Sequence, residues 1–505
     1  MQFNHIFVLS FLALVSVNAK DVTQRPVPFI NPVRSVNDDR IKAFPGLISE
    51  FKPIHYSGYL KADKRGNRFF HYWLSESLSH PSTDPFVVWI GGGYSCSSLM
   101  ALFTQVGPMR ILDKKTVVEN PYAWNKRANI FFIDFPVGSG FSYSVNESII
   151  FDGEDLVNRI YFAFIQLFNK FPDYKRRTLF FIGEDYTASH VLALANKTLA
   201  NTDVPFGGVL LNAPYIDRLE VLRGKLRLAR WWEKYPLRYY VDMGRNNCCA
   251  RSRQKDCIDI DRRDSICYKL VKDALEMSKR QISNTWKIND ECPDSDLLHL
   301  NTDRSDLIAE HEGPISEYQS SYVRTSSYHQ LSPKYGRWSL IPPMLPKRFR
   351  KHLKNRCIDD SVVEDYLNTP KVRIQLNIPA GTKPFSFCTH RRVNYGKIFH
   401  PSNLDTSALL RDLIMSPKKP GILIYHGELN WEINSLSLEP FLSERNITKV
   451  RGRKPWYINA RREGSREIFG GISHYTIKDA GYRVGSDQPA VALHMFNQFL
   501  DGLLD

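Results

Sequence analysis

The chain has 505 residues, of which 43% are hydrophobic and 24% are charged, and this ordinary composition excludes a disordered or fibrous protein. The length suffices for a large hydrophobic core. The formal net charge is +15, but the basic residues are spread along the chain rather than gathered in blocks. We therefore predict a globular protein with a solvated basic surface and no nucleic acid partner, although acidic partners or anionic glycans would be attracted to that surface.

The N-terminus is typical of a secretory signal peptide. Residues Ile6 to Val17 form a short apolar run, and Val17-Asn18-Ala19 is a small-x-small cleavage site. The run is too short to cross a bilayer, and no later stretch has enough unbroken apolar residues to do so. We predict a signal peptide at residues 1–19, no membrane span, and a protein that is secreted or lies in a lysosomal or vacuolar lumen. An uncleaved N-terminal anchor or a buried strand is the alternative.

Eight cysteines follow the predicted signal peptide, and an even number in an oxidising compartment indicates disulfides. A zinc cluster built on Cys248, Cys249, Cys257 and Cys267 is the alternative. The chain has no His-Glu-x-x-His motif, no Cys-x-x-Cys pair and no glycine-rich phosphate loop, so we predict no metal and no cofactor. Three sequons for N-glycosylation agree with the secretory route, and they begin at Asn146, Asn196 and Asn446.

Short apolar runs alternate with stretches of helical spacing along most of the chain. The runs are Phe86–Ile90, Asn129–Ile133, Thr178–Ile182, Gly208–Leu211 and Gly421–Tyr425. Residues 156–171 and 490–500 have the spacing of helices packed on one face. Continuous apolar strands separated by helices predict an α/β fold with a mostly parallel sheet that is covered on both faces.

One long segment interrupts this alternation. Residues 218–350 are rich in Arg, Lys, Trp and Tyr and contain five of the eight cysteines. We predict that they form a cap inserted into the α/β core, whose two parts are residues 38–217 and 351–505. Residues 20–37 are predicted to be a flexible lead-in.

Several motifs stand out within residues 38–217 and 351–500. They are Ile41-Lys-Ala-Phe-Pro-Gly-Leu47, Tyr56-Ser-Gly-Tyr-Leu60, Trp89-Ile-Gly-Gly-Gly-Tyr-Ser-Cys-Ser-Ser98, Asn120-Pro-Tyr-Ala-Trp-Asn125, Phe132-Ile-Asp-Phe-Pro-Val-Gly-Ser-Gly-Phe-Ser-Tyr143, Gly183-Glu-Asp-Tyr186, Tyr425-His-Gly427 and Asp487-Gln-Pro489. In their order and separations, the chain resembles the serine carboxypeptidase family over these residues. The resemblance implies an α/β-hydrolase fold. It also implies a serine nucleophile, a histidine that takes its proton, and an aspartate that orients the histidine.

The three catalytic positions implied by the resemblance all carry other residues here. The nucleophile position is Asp185, which has no hydroxyl. The aspartate position is Asn430, whose amide carries no charge, and the histidine position is Tyr482, whose phenol is a poor base. Because the members of such a triad act together, and the loss of one costs roughly 10⁴-fold in rate, we predict negligible hydrolysis.

The resemblance implies that parts of the substrate pocket persist. Gly93 and Tyr186 occupy the oxyanion positions, and Trp89 and Glu184 belong to the group that grips the substrate carboxylate. Gly91 stands where the family has an asparagine in that group. The resemblance further implies a disulfide between Cys96 and Cys388, while the other six cysteines allow 15 pairings.

Some α/β-hydrolases attack with an aspartate at this turn, but they still need a histidine to activate water for the second step. Tyr482 removes that histidine, and we interpret His426 and His474 as structural residues. If the turn is preserved, Glu184 and Asp185 place two carboxyl groups at the base of one pocket, and we expect a raised pKa for at least one of them.

Three functions are compatible with these observations. The first is a catalytically silent homologue that binds a peptide or protein ligand, with a free peptide C-terminus as the specific expectation. The second is a working serine-type carboxypeptidase that uses unusual residues. The third is a remnant without a role, which the intact strands and turns disfavour.

Overall fold

A computed structural model of the chain describes residues 32–48, 53–92, 96–145, 153–231, 242, 248, 266–282, 287–288, 360–388 and 404–503. These residues belong to one unit, Pro32–Asp505. The predicted signal peptide, the sequon at Asn146 and the oxyanion position Gly93 lie outside the described residues.

One large sheet forms the centre of this unit, with the strand order β1-β2-β6-β3-β8-β9-β10-β13-β12-β11, and β7 pairs with β2. The strands are β1 (His55–Lys61), β2 (Arg68–Ser75), β3 (Phe86–Ile90), β4 (Met109–Asp113), β5 (Thr116–Glu119), β6 (Asn129–Ile133), β7 (Tyr143–Ser144), β8 (Leu179–Glu184), β9 (Phe206–Asn212), β10 (Gly421–Gly427), β11 (Lys449–Ile458), β12 (Arg461–Phe469) and β13 (Ile472–Ile477). Strands β4 and β5 form a separate hairpin.

The described helices are α1 (Val36–Asp39), α2 (Leu99–Ala101), α3 (Gly153–Lys170), α4 (Ala188–Asn201), α5 (Arg218–Trp231), α6 (Ile266–Arg280), α7 (Ser361–Leu367), α8 (Pro370–Gln375), α9 (Thr406–Met415), α10 (Leu438–Glu444), α11 (Val484–Asp487) and α12 (Pro489–Leu500). Several of them, such as α3, α4 and α12, cover the two faces of the sheet. Helix α3 has two acidic residues in its first turn and Lys170 in its last, which suits the helix dipole.

Alternation along the central strands divides the core into two layers. In β3, Val87 and Trp89 belong to one buried cluster, together with the apolar side of α12. Phe86, Val88 and Ile90 belong to the other cluster, which is filled from α3, α4, α9 and α10. Every residue of β3 is buried because both faces of the strand are covered, and this explains its unbroken apolar sequence.

The predicted α/β fold with a mostly parallel sheet is confirmed at the centre, where β6, β3, β8, β9, β10 and β13 pair in parallel. The flanks differ from a purely parallel sheet, since β1, β2, β12 and β11 pair antiparallel. Helices α5 and α6 fall within the predicted cap, whose boundaries remain a prediction. Among the described helices, none is long and apolar enough to cross a membrane.

Candidate functional site

A sharp turn joins the end of β8 to α4 and positions Asp185. Asp185 has a φ of 56°, in the left-handed region that is rare for residues with a side chain and typical of a nucleophile elbow. The hydroxyl of Thr187 accepts a hydrogen bond from the N–H of Glu184 at 3.1 Å and donates to the carbonyl of Ile90 at 2.7 Å. The turn is therefore tied to the end of β3, and the side chain of Asp185 is aimed away from the strand.

Tyr482 meets Asp185 across the site, although the two residues are 297 positions apart in sequence. Its phenol donates a hydrogen bond to Asp185 Oδ2 at 3.3 Å. Asp487 accepts a hydrogen bond from the N–H of Gly481 at 2.7 Å, and Arg483 forms a two-pronged ion pair with Asp360. The backbone on both sides of Tyr482 is thus held by charged side chains.

Asn430 lies in the turn after β10 and uses both ends of its amide locally. Its Nδ2 donates to the carbonyl of Ile433 at 2.7 Å, and its Oδ1 accepts from the N–H of Ile433 at 3.2 Å. The residue stabilises its own turn, and its amide is not oriented toward Tyr482. The structure therefore brings Asp185 and Tyr482 into contact but leaves Asn430 outside that contact.

Two neighbouring carboxyl groups lie at the base of the site. Burial raises the pKa of Asp185 to about 7, with the charges of Glu184 and Glu432 adding to the rise and the Tyr482 hydrogen bond and Lys225 opposing it. Burial also raises the pKa of Glu184 to about 6, although Gln105 and Asn212 both donate hydrogen bonds to its Oε1. The expected rise is present at both groups, and at Asp185 the two neighbouring carboxylates add to the effect of burial.

Helix α5 covers the contact between Asp185 and Tyr482. Val221 of this helix packs with Tyr482, Ala213 and Ile433 in a small apolar cluster. The ring of Tyr482 is fully buried, and Asp185 is only 5% exposed. Lys225, one turn further along α5, forms an ion pair with Glu432 at 2.7 Å. Apolar packing and an ion pair both hold this helix over the site.

Trp89 and Gly91 stand together at the end of β3. A Cβ atom at Gly91 would lie 2.7 Å from Trp89 Nε1 and 2.9 Å from the Cα of Ser98, so an asparagine does not fit this arrangement. The Trp89 Nε1 donor is buried and has no acceptor within the part of the chain that the structure describes. Tyr186 follows Asp185 in the turn and is half-buried.

His426 and His474 form a buried hydrogen-bonded chain in the β10, β13 and β12 part of the sheet. His426 Nδ1 lies 3.1 Å from His474 Nε2, and His474 Nδ1 lies 2.9 Å from Glu467 Oε1. Burial lowers the pKa of both histidines. These contacts with each other and with Glu467 fit the structural role predicted for the two residues.

A second Ser-His-Asp arrangement, which the sequence motifs did not indicate, lies in β1, β2 and the segment after β6. Ser57 Oγ is 2.9 Å from His71 Nε2, and His71 Nδ1 is 3.1 Å from Asp134 Oδ2. All three side chains are fully buried. Ser57 Oγ also lies 2.8 Å from the carbonyl oxygen of Leu376, and Asp134 also accepts hydrogen bonds from Ser97 Oγ and from the N–H of Phe141. The three side chains are therefore part of a hydrogen-bonded network inside the core.

The remaining predicted positions fall in several parts of the fold. Cys96 and Cys388 form a disulfide, the pair that the resemblance implied, and Cys248 pairs with Cys267. Asn446 lies in an exposed turn, whereas Asn196 is half-buried on α4 and its amide donates to the carbonyl of Leu409. Within the described residues, no group of three or more His, Cys, Asp or Glu side chains is placed to hold a metal ion.

Comparison with known proteins agrees with this geometry. The family model for serine carboxypeptidases matches residues 45–502. The lysosomal protective protein of Mus musculus is 27% identical, over 92% of this chain and 94% of its own length. Serine carboxypeptidase ctsa-4.1 of Caenorhabditis elegans is 26% identical, over 92% of this chain and 93% of its own length.

Among solved structures, Kex1(delta)p, a prohormone-processing carboxypeptidase from Saccharomyces cerevisiae, aligns with a TM-score of 0.69 at 16% identity. The alignment covers 93% of this chain and 97% of that one, and at this identity it shows the fold alone. The family match spans most of the sequence and both parts of the sheet. The chain therefore belongs to the serine carboxypeptidase family.

Proposed function

We propose that this chain is a catalytically silent member of its family that acts by binding in the secretory, lysosomal or extracellular space. The observation that carries the proposal is the buried contact between Asp185 and Tyr482. Acyl transfer needs a nucleophile and a base that removes its proton. Here Asp185 places a carboxyl group at the elbow. The group facing it is the phenol of Tyr482, which donates a hydrogen bond to that carboxyl group.

Catalysis by an aspartate nucleophile meets the same difficulty. With its pKa near 7, Asp185 is ionised only in part at neutral pH and is protonated in an acidic lumen. Attack of this carboxylate on a peptide carbonyl, with departure of the amine, would give an acyl anhydride. Its hydrolysis would need a base for water, and His426 and His474 are engaged with each other and with Glu467. The Ser57 hydroxyl is engaged with His71 and with the carbonyl of Leu376.

The ligand that suits the remaining groups is a peptide with a free C-terminal carboxylate. Trp89 Nε1 is a buried donor without a described acceptor, and Glu184, with a pKa of about 6, carries a proton at acidic pH. A protonated carboxyl group donates a hydrogen bond to a carboxylate, whereas an ionised one repels it. Binding should therefore be tighter at pH 5 than at pH 7.5.

The proposed route rests on the predicted signal peptide, the two disulfides and the name of the lysosomal relative. Asn446 is the sequon best placed for a glycan because it is exposed in a turn. The amide nitrogen of Asn196 is occupied between α4 and α9, and this disfavours a glycan there.

The test is labelling of the purified full chain with a fluorophosphonate probe, together with hydrolysis of N-blocked dipeptides from pH 4.5 to 7.5. We expect neither reaction with the natural protein. The triple variant Asp185→Ser, Asn430→Asp, Tyr482→His is the positive control, and Asn430→Asp with Tyr482→His, which lacks the serine, is its matched control. We expect labelling of the triple variant only.

The same dipeptides and their C-terminal amides serve as ligands in thermal denaturation, where only the free acids should raise the melting temperature. Turnover by the natural protein that disappears in Asp185→Asn or Ser57→Ala would show an active carboxypeptidase. In that case the silent assignment is wrong.

A further inference from the structure

The hairpin of β11 and β12 is unusually basic. Residues 449–469 contain seven Lys and Arg residues and only two acidic residues, Glu463 and Glu467. Both acidic side chains are buried, at 7% and 2% exposure. The exposed charges of the hairpin are therefore almost all positive.

The buried carboxylates neutralise only part of this charge. Glu467 pairs with Lys449 at 3.0 Å and with Arg453 at 3.2 Å, while Glu463 pairs with Arg461. Three other basic residues of the hairpin are exposed, namely Arg451, Lys454 and Arg462. Among the described residues, none of these three side chains forms an ion pair. Their charges are available to an external anion.

The position of the hairpin leaves this charge accessible. Among the described strands, β11 is the last one of the large sheet and forms its edge. It has ten residues and is about 30 Å long at the usual rise of a strand. Lys454 lies directly opposite Arg466, so the pairing places two basic residues side by side along the hairpin.

We propose that the β11–β12 hairpin is a binding surface for linear sulfated polysaccharides. The positive charge forms a stripe along an extended strand, which matches a linear polyanion better than the plane of a membrane. The two disulfides place the chain in an oxidising compartment, where sulfated glycans are abundant and nucleic acids are not. This surface is distinct from the Asp185 site and does not depend on the proposed lack of activity.

The test measures binding of the full chain to immobilised heparin and, in solution, to a heparin oligosaccharide and its desulfated form. The variant Arg451→Ala, Lys454→Ala, Arg462→Ala should elute at lower salt and bind the oligosaccharide about tenfold or more weakly. The matched control Lys64→Ala, Arg65→Ala, Lys175→Ala removes the same charge from exposed positions, two of them in the turn at the opposite edge of the sheet. It should elute close to the natural protein.

The desulfated oligosaccharide should bind weakly to every form of the protein. Equal losses of heparin affinity in the hairpin variant and in the matched control would show that net charge alone drives binding. Failure of the natural protein to bind heparin at physiological salt would show that the charges only protect an exposed edge strand. Stronger hairpin-dependent binding to phosphatidylserine vesicles or to duplex DNA would assign the surface to those partners. Each of these three results overturns the proposal.

Discussion

Burial and neighbouring charge act together on the carboxyl group of Asp185. The group lies at the tip of a strained turn, beside Glu184 and under α5, and the Tyr482 phenol is its described hydrogen-bond donor. Asp185 and Tyr482 do not supply the nucleophile and base that hydrolysis needs. In addition, the Tyr482 ring is fully buried against Val221, so it occupies the space that a general base would need.

The raised pKa of Asp185 predicts a pH-dependent stability. A carboxyl group whose pKa rises from 3.8 to about 7 on folding binds its proton more tightly in the folded state, so its contribution is present below pH 4 and is lost as the pH rises through 7. The full loss corresponds to ~4 kcal/mol. The variant Asp185→Asn, which cannot ionise, should be more stable than the natural protein at pH 8 and should approach it at pH 4.5.

Urea denaturation across this pH range measures the difference. Asp173→Asn, at an exposed position, is the control and should follow the natural protein at every pH. A parallel pH dependence of the natural protein and Asp185→Asn would contradict the prediction.

At the scale of elements, the end of β10 and the turn after β13 fit together through backbone contact. A Cβ atom at Gly427 would lie 2.0 Å from the carbonyl oxygen of Gly481 and 2.3 Å from that of Ala480. The N–H of Leu429 also donates to the carbonyl of Ala480 at 2.8 Å. This close approach positions the turn that carries Tyr482.

Gly427→Ala should therefore destabilise the protein strongly. The clash is with main-chain atoms, which cannot rotate away as a flexible side chain can, so we expect a loss of about 3 kcal/mol or more in the free energy of unfolding. The matched control is Gly452→Ala in β11, where an added Cβ meets nothing within 4 Å and the change should stay within about 0.5 kcal/mol. Similar denaturation midpoints for the two variants would contradict the packing described at Gly427.

At the scale of the whole molecule, the two disulfides among the described residues close loops of very different size. Cys96 and Cys388 are 292 residues apart and link the segment after β3 to the segment after α8. Cys248 and Cys267 are 19 residues apart, and Cys267 lies on α6. The first bridge joins the two parts of the core across the predicted cap.

Loop-closure entropy predicts a larger effect for the longer loop. Removing the Cys96–Cys388 bridge by two Cys→Ser substitutions should lower the free energy of unfolding by about 5 kcal/mol, and the same change at Cys248–Cys267 by about 3 kcal/mol. Urea denaturation of both double variants under oxidising conditions gives the comparison. The opposite order would show that local packing, rather than chain entropy, sets the contribution of each bridge.

Much of the central sheet was predictable from the sequence. The limits of β3 and β6 agree with the apolar runs Phe86–Ile90 and Asn129–Ile133, because a strand covered on both faces must be apolar throughout. The hairpin of β11 and β12 escaped prediction. Strand β11 is mostly exposed and rich in Lys and Arg, and neither β11 nor β12 has an apolar run or a regular alternation that would indicate a strand.

The sequence by itself determined the family resemblance, the central strands and the residue types at Asp185, Asn430 and Tyr482, because these depend on neighbours along the chain. Only the tertiary structure decided that Asp185 and Tyr482 touch, that Asn430 binds its own turn, and that Ser57, His71 and Asp134 form a buried chain. Side-chain contact, burial and the pKa shifts that follow from them arise between residues far apart in sequence. A pattern of neighbouring residues in the sequence therefore does not reveal these contacts.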